Sequence, residues 1–505
     1  MAKISRLHGL HRGQKIRVKI ESLAPGGEGV GHHDGLAVFV ARTAPGDTVE
    51  VELFDVRKSF ARGKIIDLLK ASTVRVQPVC KVFDRCGGCQ WQHVSYEAQL
   101  QTKQEIVSQA LRHIDVPIES TLAAEHPFDY RNKAQFPVKQ LNNGRLLVGY
   151  YEDGSHRLVN INECPVQPEP LDFVLQIIRR SLTENKITAF DEESHSGLIR
   201  HLCARASFYN GDILVTLVVN HPGGDKLKSG LKGALEGVAE ELMAEMEEVV
   251  GVCANFNPHK GNKIFGEETI LLRGKSEIEE VLQTRRLDRP DKLKEGIRFR
   301  LSTQSFFQIN TEQATNLFDE VYEEALSISK ELDRPLKVID AYAGVGSIAL
   351  WVSSLAESVV AIEEIPDAVR DGLSTVKENG IENIRFEEGR VEDVLQRLTD
   401  ADEQFDLVIV DPPRKGASND VLQALMKLAP KHVIYVSCNP QTLARDLKIL
   451  QDGLVQEREG KQLRTGYKTK RVKPVDLFPQ TYHIETVASL ERFIDDGPVR
   501  NLEEI

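Results

Sequence analysis

Three of the seven cysteines lie within ten residues of one another and form a metal-binding pattern. Cys80, Cys86 and Cys89 are separated by five and two residues, and the two glycines before Cys89 let the chain wrap around an ion. Such a site needs a fourth thiolate, and Cys164 is the best candidate. Four thiolates suit either a tetrahedral zinc ion or a [4Fe–4S] cluster, and the spacing alone does not choose between them.

Cys438 lies in a different setting, in Ser437-Cys438-Asn439-Pro440 directly after an apolar stretch that predicts a strand. A thiol at the carboxyl end of a strand is a poised nucleophile, because such loops can lower its pKa and the thiolate is the reactive form. Further along, a turn and an alternating stretch predict that Glu485 returns to the same crevice as a base, with His483 as a competing candidate. Cys203 and Cys253 are predicted to be structural.

A glycine-containing turn follows another predicted strand, in Asp340-Ala341-Tyr342-Ala343-Gly344-Val345-Gly346-Ser347. It matches neither the dinucleotide fingerprint nor the phosphate loop. Glu363 ends the next predicted strand, where a carboxylate can accept hydrogen bonds from both hydroxyls of a ribose. The two features predict a nucleoside cofactor without a pyrophosphate, and S-adenosylmethionine (SAM) is the obvious candidate. Asp411, in Asp411-Pro412-Pro413-Arg414, is predicted to lie at the mouth of the same sheet.

The 505 residues are predicted to form three domains. Residues 1–75 contain short alternating strands separated by Gly-rich turns, which favour a small β-barrel. Residues 76–300 mix helix and strand and predict an α+β domain that carries the metal-site knuckle. Residues 301–505 alternate strands with helices and predict a doubly wound parallel α/β domain, whose ligands bind at the carboxyl ends of the strands.

The charge is distributed unevenly along the chain. The net charge is −12, yet residues 1–75 contain 13 Lys and Arg against 8 Asp and Glu, and a second basic run lies between 461 and 473. Local basic surface on an acidic protein suits a polyanion held by one face, although solvated surface charge is the simpler interpretation. No apolar run approaches the length of a membrane span, and the N-terminus lacks the apolar core of a secretory signal. We expect a cytoplasmic monomer with no membrane partner.

Taken together, these motifs resemble the RNA uracil-5-methyltransferase family over nearly the whole chain. The resemblance rests on a TRAM-like glycine run, on the segment before the SAM domain and on three core motifs in the expected order: Gly26-Gly27-Glu28-Gly29-Val30-Gly31, Ser305-Phe306-Phe307-Gln308-Ile309-Asn310, Asp411-Pro412-Pro413-Arg414, Ser437-Cys438-Asn439-Pro440 and Asp476-Leu477-Phe478-Pro479-Gln480-Thr481. It implies an OB-like TRAM barrel followed by the α+β domain and a Rossmann-like methyltransferase domain.

The resemblance also implies roles for individual residues. Cys438 would be the nucleophile and Glu485 the proton acceptor in methylation of C5 of uracil in RNA. Contacts to SAM would come from Gln308, Tyr342, Glu363 and Asp411, with Gly344 and Gly346 shaping the loop. The ribosomal-RNA members of the family carry a [4Fe–4S] cluster on this cysteine pattern, which favours the cluster over zinc. We therefore expect 23S ribosomal RNA as the substrate and no DNA partner.

Three alternatives remain open at this stage. The substrate could be the T-loop of transfer RNA. A radical-SAM methylthiotransferase also combines SAM, a cluster and a TRAM domain, but it uses a Cys-x3-Cys-x2-Cys triad that leaves one iron open. A non-catalytic RNA-binding factor in ribosome assembly would bind RNA without methyl transfer. The Tyr130-Arg131-Asn132-Lys133 segment is predicted to contact RNA, and residues 387–390 are placed to meet the adenine ring.

Overall fold

The computed structural model describes residues 9–223, 227–458 and 461–495. Within these ranges, none of the helices has both the length and the apolar character needed to cross a membrane. The chain builds a barrel, a seven-stranded sheet, a short two-stranded sheet and an eight-stranded sheet.

The N-terminal region is a closed barrel of five strands in the order β1-β2-β3-β5-β4. The strands are β1 (Lys15–Leu23), β2 (Gly29–His33), β3 (Leu36–Val40), β4 (Thr48–Val56) and β5 (Phe60–Lys70). Alternate side chains point inward, so that Ile20, Val38, Val49 and Leu53 are almost completely buried. The predicted barrel is therefore confirmed.

The middle region begins with helix α1 (Tyr96–Ala110) and is centred on a seven-stranded mixed sheet in the order β12-β11-β10-β9-β6-β7-β8. Its strands are β6 (Lys133–Gln140), β7 (Leu146–Tyr151), β8 (Leu158–Asn160), β9 (Ile199–Ala206), β10 (Ile213–Val219), β11 (Val249–Phe256) and β12 (Glu268–Gly274). Two helices, α2 (Glu169–Glu184) and α3 (Ser229–Glu245), pack on this sheet. Cys203 and Cys253 are buried in its strands.

A short connecting unit joins the middle region to the C-terminal sheet. It consists of β13 (Glu277–Leu282), α4 (Asp291–Glu295), β14 (Ile297–Ser302) and the long helix α5 (Thr311–Leu332). The strands β13 and β14 form an antiparallel pair. Helix α5 is amphipathic and buries one face against the C-terminal domain. This packing fixes the position of the helix start and hence the end of the segment that precedes it.

The C-terminal sheet has eight strands in the order β17-β16-β15-β18-β19-β22-β21-β20. The strands are β15 (Leu336–Ala341), β16 (Ala356–Glu363), β17 (Ile384–Glu388), β18 (Leu407–Val410), β19 (His432–Ser437), β20 (Leu454–Arg458), β21 (Lys461–Val475) and β22 (Glu485–Asp495). The helices are α6 (Ser347–Val352), α7 (Pro366–Glu378), α8 (Val391–Asp400), α9 (Asn419–Leu428) and α10 (Pro440–Asp452).

Only the first five of these strands follow the parallel pattern that the sequence predicts. β17, β16, β15, β18 and β19 are parallel, whereas β22 pairs antiparallel with β19, and β21 and β20 continue the antiparallel half. The prediction of a wholly parallel sheet is wrong in this half. The physical reason is the connection after β21, a loop too short for a crossover helix, which sends β22 back between β19 and β21.

Candidate functional site

A cavity of about 640 Å³ opens at the carboxyl ends of the parallel strands. Most of the predicted cofactor and catalytic residues line it: Gln308, Tyr342, Gly344, Glu363, Asp411, Cys438 and Glu485. Gly346 does not line the cavity. The structure therefore brings the predicted set together from segments that are more than a hundred residues apart in the chain.

The turn after β15 depends on a backbone that favours glycine. Tyr342, Gly344 and Gly346 all have positive φ angles, of 66°, 57° and 80°. A Cβ atom on Gly346 would lie 2.8 Å from the ring of Phe386, so this glycine supports the loop from behind. The side chain of Tyr342 costs strain at its position, which the surrounding structure must hold in place.

Glu363 braces this turn. One oxygen of its carboxylate accepts a hydrogen bond from the backbone N–H of Gly344 at 2.9 Å, and the other accepts from Ile365 at 2.8 Å. The side chain is nearly buried, yet it borders the cavity. Each carboxylate oxygen has a second lone-pair site, so both can still accept from a ligand hydroxyl.

Asp340, the first residue of the motif that contains the glycine turn, was not predicted as a site residue. It is 1% exposed, borders the cavity, and accepts one hydrogen bond from the backbone of Ala349, while its Oδ1 is buried and has no partner among the described residues. Burial, together with the smaller effect of the nearby Asp411 charge, raises its pKa to about 8. Burial alone raises the pKa of Asp411 to about 7. The signal in the sequence was an acidic residue near the end of a buried strand.

Cys438 and Glu485 meet at the junction of the two halves of the sheet. Ser437 pairs with Thr486 across β19 and β22, which sets the next residue of one strand opposite the preceding residue of the other. Burial, together with the charges of Glu485 and Asp411, raises the pKa of the Cys438 thiol to about 11. Burial also raises the pKa of Glu485, which is 6% exposed, well above its usual value.

Arg414 is a cationic residue near Cys438 and Glu485, and it was not predicted as a site residue. It borders the cavity, and its charge lowers the pKa of both Cys438 and Glu485. Its Nη2 lies 3.5 Å from Nδ1 of His483. Burial and the charge of Arg414 lower the pKa of His483 to about 4, so this imidazole is neutral at pH 7 and a weak base.

The loop that leads to Glu485 is anchored to the N-terminal half of the chain. Asp476 forms a completely buried ion pair with Lys103 of α1, with Nζ and Oδ1 2.5 Å apart. The carbonyl of Gln480 accepts hydrogen bonds from the backbone N–H groups of Gln90 and Trp91 at 3.1 and 3.0 Å. The segment directly after Cys89 therefore holds the loop before Glu485.

The four predicted metal-binding cysteines surround one small cavity. Cys80, Cys86, Cys89 and Cys164 line it together with Arg131 and Tyr150, and the two central thiols are 8% exposed. A Cβ atom on Gly87 would lie 3.0 Å from the carbonyl oxygen of Tyr151, which explains the glycine at that position. Burial raises the pKa of the Cys89 thiol to about 11, so a cation must be present to make this a thiolate site.

The sulfur atoms of these cysteines are not tightly clustered. Among the described residues, Glu125, His126 and Glu312 form the only set of three Cys, His, Asp or Glu ligand atoms within 4.8 Å of one another, and this set is largely exposed. Tetrahedral zinc with Zn–S bonds of about 2.3 Å places its four sulfurs about 3.8 Å apart. In any three of the four sulfurs, at least one pair is therefore more than 4.8 Å apart, which exceeds the spacing that a single tetrahedral ion requires.

The segment predicted to contact RNA is largely internal. Tyr130 is buried and donates to the carbonyl of Pro479 at 3.0 Å, and Asn132 is buried and donates to the carbonyl of Gln308 at 2.8 Å. The predicted RNA contact is wrong for these two residues, because the fold uses them to hold other segments. Arg131 and Lys133 are partly exposed.

The basic run near the C-terminus is mostly neutralised. Arg471 pairs with Glu119, Glu320 and Glu324, and Lys473 also pairs with Glu119. Arg464 and Lys470 pair with acidic residues of β22. The side chain of Lys461 lies outside the described residues. The interpretation of this run as a free basic surface is therefore not supported.

Comparisons with known proteins agree with this architecture. The sequence model of the TRAM domain matches residues 10–66, and that of tRNA (uracil-5-)-methyltransferase matches residues 275–493. An uncharacterized RNA methyltransferase of Gloeobacter violaceus is 41% identical over 96% of this chain and 98% of its own length. One from Halalkalibacterium halodurans is 36% identical over 95% and 98%.

One solved structure resembles nearly the whole chain. The Pyrococcus abyssi tRNA (uracil-54, C5)-methyltransferase, in complex with S-adenosyl-L-homocysteine, is 25% identical, with a TM-score of 0.69 over 94% of this chain and 100% of its own. The relatives, the two matching domains and the cavity at the strand ends lead to one assignment. The chain belongs to the RNA uracil-5-methyltransferase family and is a SAM-dependent RNA methyltransferase with an N-terminal TRAM domain.

Proposed function

We propose that this protein methylates C5 of a specific uridine in RNA, with Cys438 as the nucleophile and Glu485 as the proton acceptor. One observation carries the proposal. The strand pairing between β19 and β22 sets Cys438 beside Glu485 at the wall of the cavity that also contains the glycine turn and Glu363. A nucleophile, a carboxyl group and a nucleoside-sized cavity are the parts that this reaction needs.

The chemistry explains why a thiol is present. C5 of uracil is too weak a nucleophile to attack a methyl sulfonium unaided. Addition of the Cys438 thiolate to C6 gives an enolate with carbanion character at C5, and this carbon can then accept a methyl group. When bound, SAM supplies that methyl group in electrophilic form. The C5 proton must leave afterwards, and its loss expels the thiolate of Cys438 and restores the ring.

The electrostatics of the cavity indicate how the chain controls this sequence. In the free protein the Cys438 thiol is protonated at neutral pH, because burial and two carboxyl groups disfavour the thiolate. Arg414 opposes that effect and is the side chain best placed to stabilise a thiolate. We expect cationic groups that enter the cavity to act in the same direction as Arg414.

Glu485 is better suited than His483 to accept the C5 proton. Its carboxyl group has a raised pKa, so once ionised it is a strong base for a carboxylate. His483 has a pKa of about 4 and faces Arg414, so it gains little by accepting a proton. We assign His483 a packing role beside Tyr482, whose ring centroid is 4.4 Å away.

Five of the predicted cofactor residues border the cavity and would hold SAM. We propose that Glu363 accepts from the ribose hydroxyls, that Asp411 faces the reacting end, and that Gln308, Tyr342 and Gly344 complete the contacts. Gly346 would act only by shaping the turn. Arg390 also borders the cavity, which supports the proposal that the segment around 387–390 meets the adenine ring.

The four cysteines support a [4Fe–4S] cluster as the second group. The donor set is all thiolate, which suits iron–sulfur clusters and zinc alike, but the sulfurs are more widely spaced than a single tetrahedral ion requires. None of the four cysteines borders the SAM cavity. That separation favours a structural cluster over radical-SAM chemistry, in which the cluster binds SAM directly.

We propose 23S ribosomal RNA as the substrate, on the combination of a TRAM barrel and a four-cysteine site. Transfer RNA is the second candidate, and it is favoured by the similarity to the Pyrococcus abyssi tRNA (uracil-54, C5)-methyltransferase. In either RNA the target base must leave its stack or lie in a loop to reach Cys438.

The test is methyl transfer from SAM to unmodified ribosomal and transfer RNA side by side, with nucleoside mass spectrometry as the readout. We expect 5-methyluridine on ribosomal RNA from the wild type and none from Cys438→Ala, with Cys203→Ala as the matched control that stays active. A different methylated nucleoside would overturn the thiol mechanism. RNA binding without any methylation by a SAM-binding protein would favour the assembly-factor role.

A further inference from the structure

One arginine of the barrel reaches out of its own domain and contacts the cysteine loop. Arg42 follows β3, and its Nη1 donates to the carbonyl of Cys89 at 2.6 Å while Nη2 donates to the carbonyl of Cys86 at 2.8 Å. The guanidinium also lies 4.1 Å from the centroid of the Phe83 ring. This forked contact uses the planar geometry that distinguishes arginine from lysine.

The backbone of Arg42 is held in an unusual conformation. Its φ angle is +63°, a region that residues other than glycine seldom adopt. Arg75, in the segment between barrel and cysteine loop, donates to the carbonyl of Arg42 at 3.0 Å and pairs with the fully buried Asp47. Strain of this kind persists only where the surrounding structure enforces it, so the outward direction of Arg42 is built into the barrel.

A second contact docks the barrel on the residues after Cys89. The indole Nε1 of Trp91 donates to the carbonyl of Gly27 at 3.0 Å. A Cβ atom on Gly27 would lie 2.9 Å from the ring of Tyr482, which precedes His483 on the catalytic side. The cysteine loop therefore contacts the barrel on one side and the loop before Glu485 on the other.

We propose that Arg42 makes the docking of the barrel and the occupancy of the four-cysteine site mutually dependent. The two carbonyls that Arg42 binds belong to two of the proposed ligands, Cys86 and Cys89. Both carbonyls can meet one guanidinium only while the loop keeps its closed shape, which a bound cluster enforces. By linkage, whatever the cluster contributes to barrel docking, the docked barrel contributes equally to retention of the cluster.

This inference rests on the proposed cluster and extends it to RNA recognition. The barrel is the basic domain, so its orientation decides where RNA enters relative to Cys438. On this inference Arg42 is a positioning residue. Loss of the cluster would release the barrel from the catalytic domain without a change in the SAM cavity itself.

The test compares Arg42→Gln and Arg42→Lys with the control Arg62→Gln. Arg62 lies on the same barrel and contacts Phe39, Phe60 and Glu28, not the cysteine loop. Cluster loss is followed by visible absorbance in air with EDTA, and barrel release by limited proteolysis within residues 71–79. We expect Arg42→Gln to lose its cluster about tenfold faster and to be cleaved faster, with Arg62→Gln like the wild type.

A redox titration separates the charge from the hydrogen bonds. Loss of a positive charge beside the cluster disfavours its more negative reduced form, so Arg42→Gln is expected to lower the midpoint potential, while Arg42→Lys keeps the potential near that of the wild type. If Arg42→Gln does not fold, Trp91→Phe is the second variant, because it removes the hydrogen bond from Trp91 to the carbonyl of Gly27. We expect it to accelerate cluster loss and proteolytic cleavage, but less than Arg42→Gln would.

Two results would overturn the inference, and they are distinguishable. Equal cluster lifetimes and equal cleavage in Arg42→Gln and the wild type would overturn the linkage while the cluster stands. If wild-type protein contains no iron or sulfide after anaerobic purification, the proposed cluster is overturned, and the inference with it.

Discussion

The two sites of this molecule have opposite electrostatic character. The cavity at the strand ends gathers buried carboxyl groups, Asp340, Asp411 and Glu485, whose pKa values are all raised. The cysteine cavity is flanked instead by two guanidinium groups, those of Arg42 and Arg131, and the Nε of Arg131 is buried with no hydrogen-bond partner in the part of the chain that the structure describes. The first site is suited to a ligand that carries positive charge. The second is suited to a group whose charge, summed with that of its thiolate ligands, is negative.

The comparison also concerns how each site is supported. The cofactor cavity stands on five parallel strand ends, so its residues are fixed by a regular sheet. The cysteine cavity stands on irregular loops around 80–89 and at Cys164, which few regular elements support. A regular scaffold holds its geometry without a ligand, whereas loops of this kind depend on the bound group to keep their shape.

The largest expected effect is on the catalytic side. Glu485→Gln keeps the shape of the side chain but removes the proposed proton acceptor, so turnover is expected to fall by about 10²- to 10⁴-fold. Addition of Cys438 does not need this carboxylate, so a covalent protein–RNA adduct should accumulate and be visible by denaturing gel electrophoresis. Normal turnover, or slow turnover with no adduct, would argue against Glu485 as the base.

The second effect tests the junction between the two sites. Lys103→Met leaves the carboxylate of Asp476 buried without its partner, which is expected to cost about 3–5 kcal/mol of unfolding free energy. Denaturant unfolding measures this loss. The exposed pair of Lys470 and Glu491 supplies the control, because Lys470→Met is expected to change the free energy by less than about 1 kcal/mol. Similar values for the two variants would contradict a tightly packed junction.

The third effect separates the two cavities. Cys164→Ala removes one of the four ligands of the proposed cluster, so the purified protein is expected to lose most of the iron that such a cluster would supply. The SAM cavity contains none of the four cysteines, and SAM affinity by calorimetry is expected to stay within about twofold of the wild type. A large loss of SAM affinity would show that the cavities are not independent.

The smallest effect is a pH dependence of the acidic cavity. The pKa values of about 8 and 7 for Asp340 and Asp411 leave these groups partly protonated in the free protein at neutral pH. A cationic ligand binds the ionised forms more tightly, so SAM affinity is expected to rise roughly three- to tenfold between pH 6 and 8, and SAM binding is expected to release protons over this range. Asp340→Asn should flatten this rise.

The same groups give the unfolding free energy of the SAM-free protein a pH dependence of the opposite sign. A carboxyl group whose pKa is raised by folding binds more protons in the folded state than in the unfolded state, so the unfolding free energy falls as pH rises through 4 to 8. Below about pH 6.5 the buried His93, His201 and His483, whose pKa values are lowered to about 4, act in the opposite direction. The thermal midpoint of the free protein is therefore expected to fall between about pH 6.5 and 8, while the shift caused by SAM grows. A midpoint that rises over this range would contradict the raised pKa values.

The sequence best predicted the positions of residues at the ends of regular elements. Gly344, Asp411 and Cys438 follow apolar strands, and Glu363 ends one. Each strand could be recognised from its run of apolar residues, and the end of that run marks where the strand stops. Arg42, Lys103 and Arg414 were missed, because their roles come from contacts with segments that are distant in sequence. The antiparallel return of β22 was only partly foreseen, since strand order depends on packing rather than on local pattern.

The position of β22 within the sheet has a consequence for biosynthesis. This strand comes late in the chain but lies inside the sheet, between β19 and β21. At about 5–20 residues per second, the ribosome delivers the start of β22 roughly 2–10 seconds after the end of β19. During that interval the hydrogen-bonding edge of β19 is open. The nascent chain must keep this edge from pairing with other strands until Glu485 arrives.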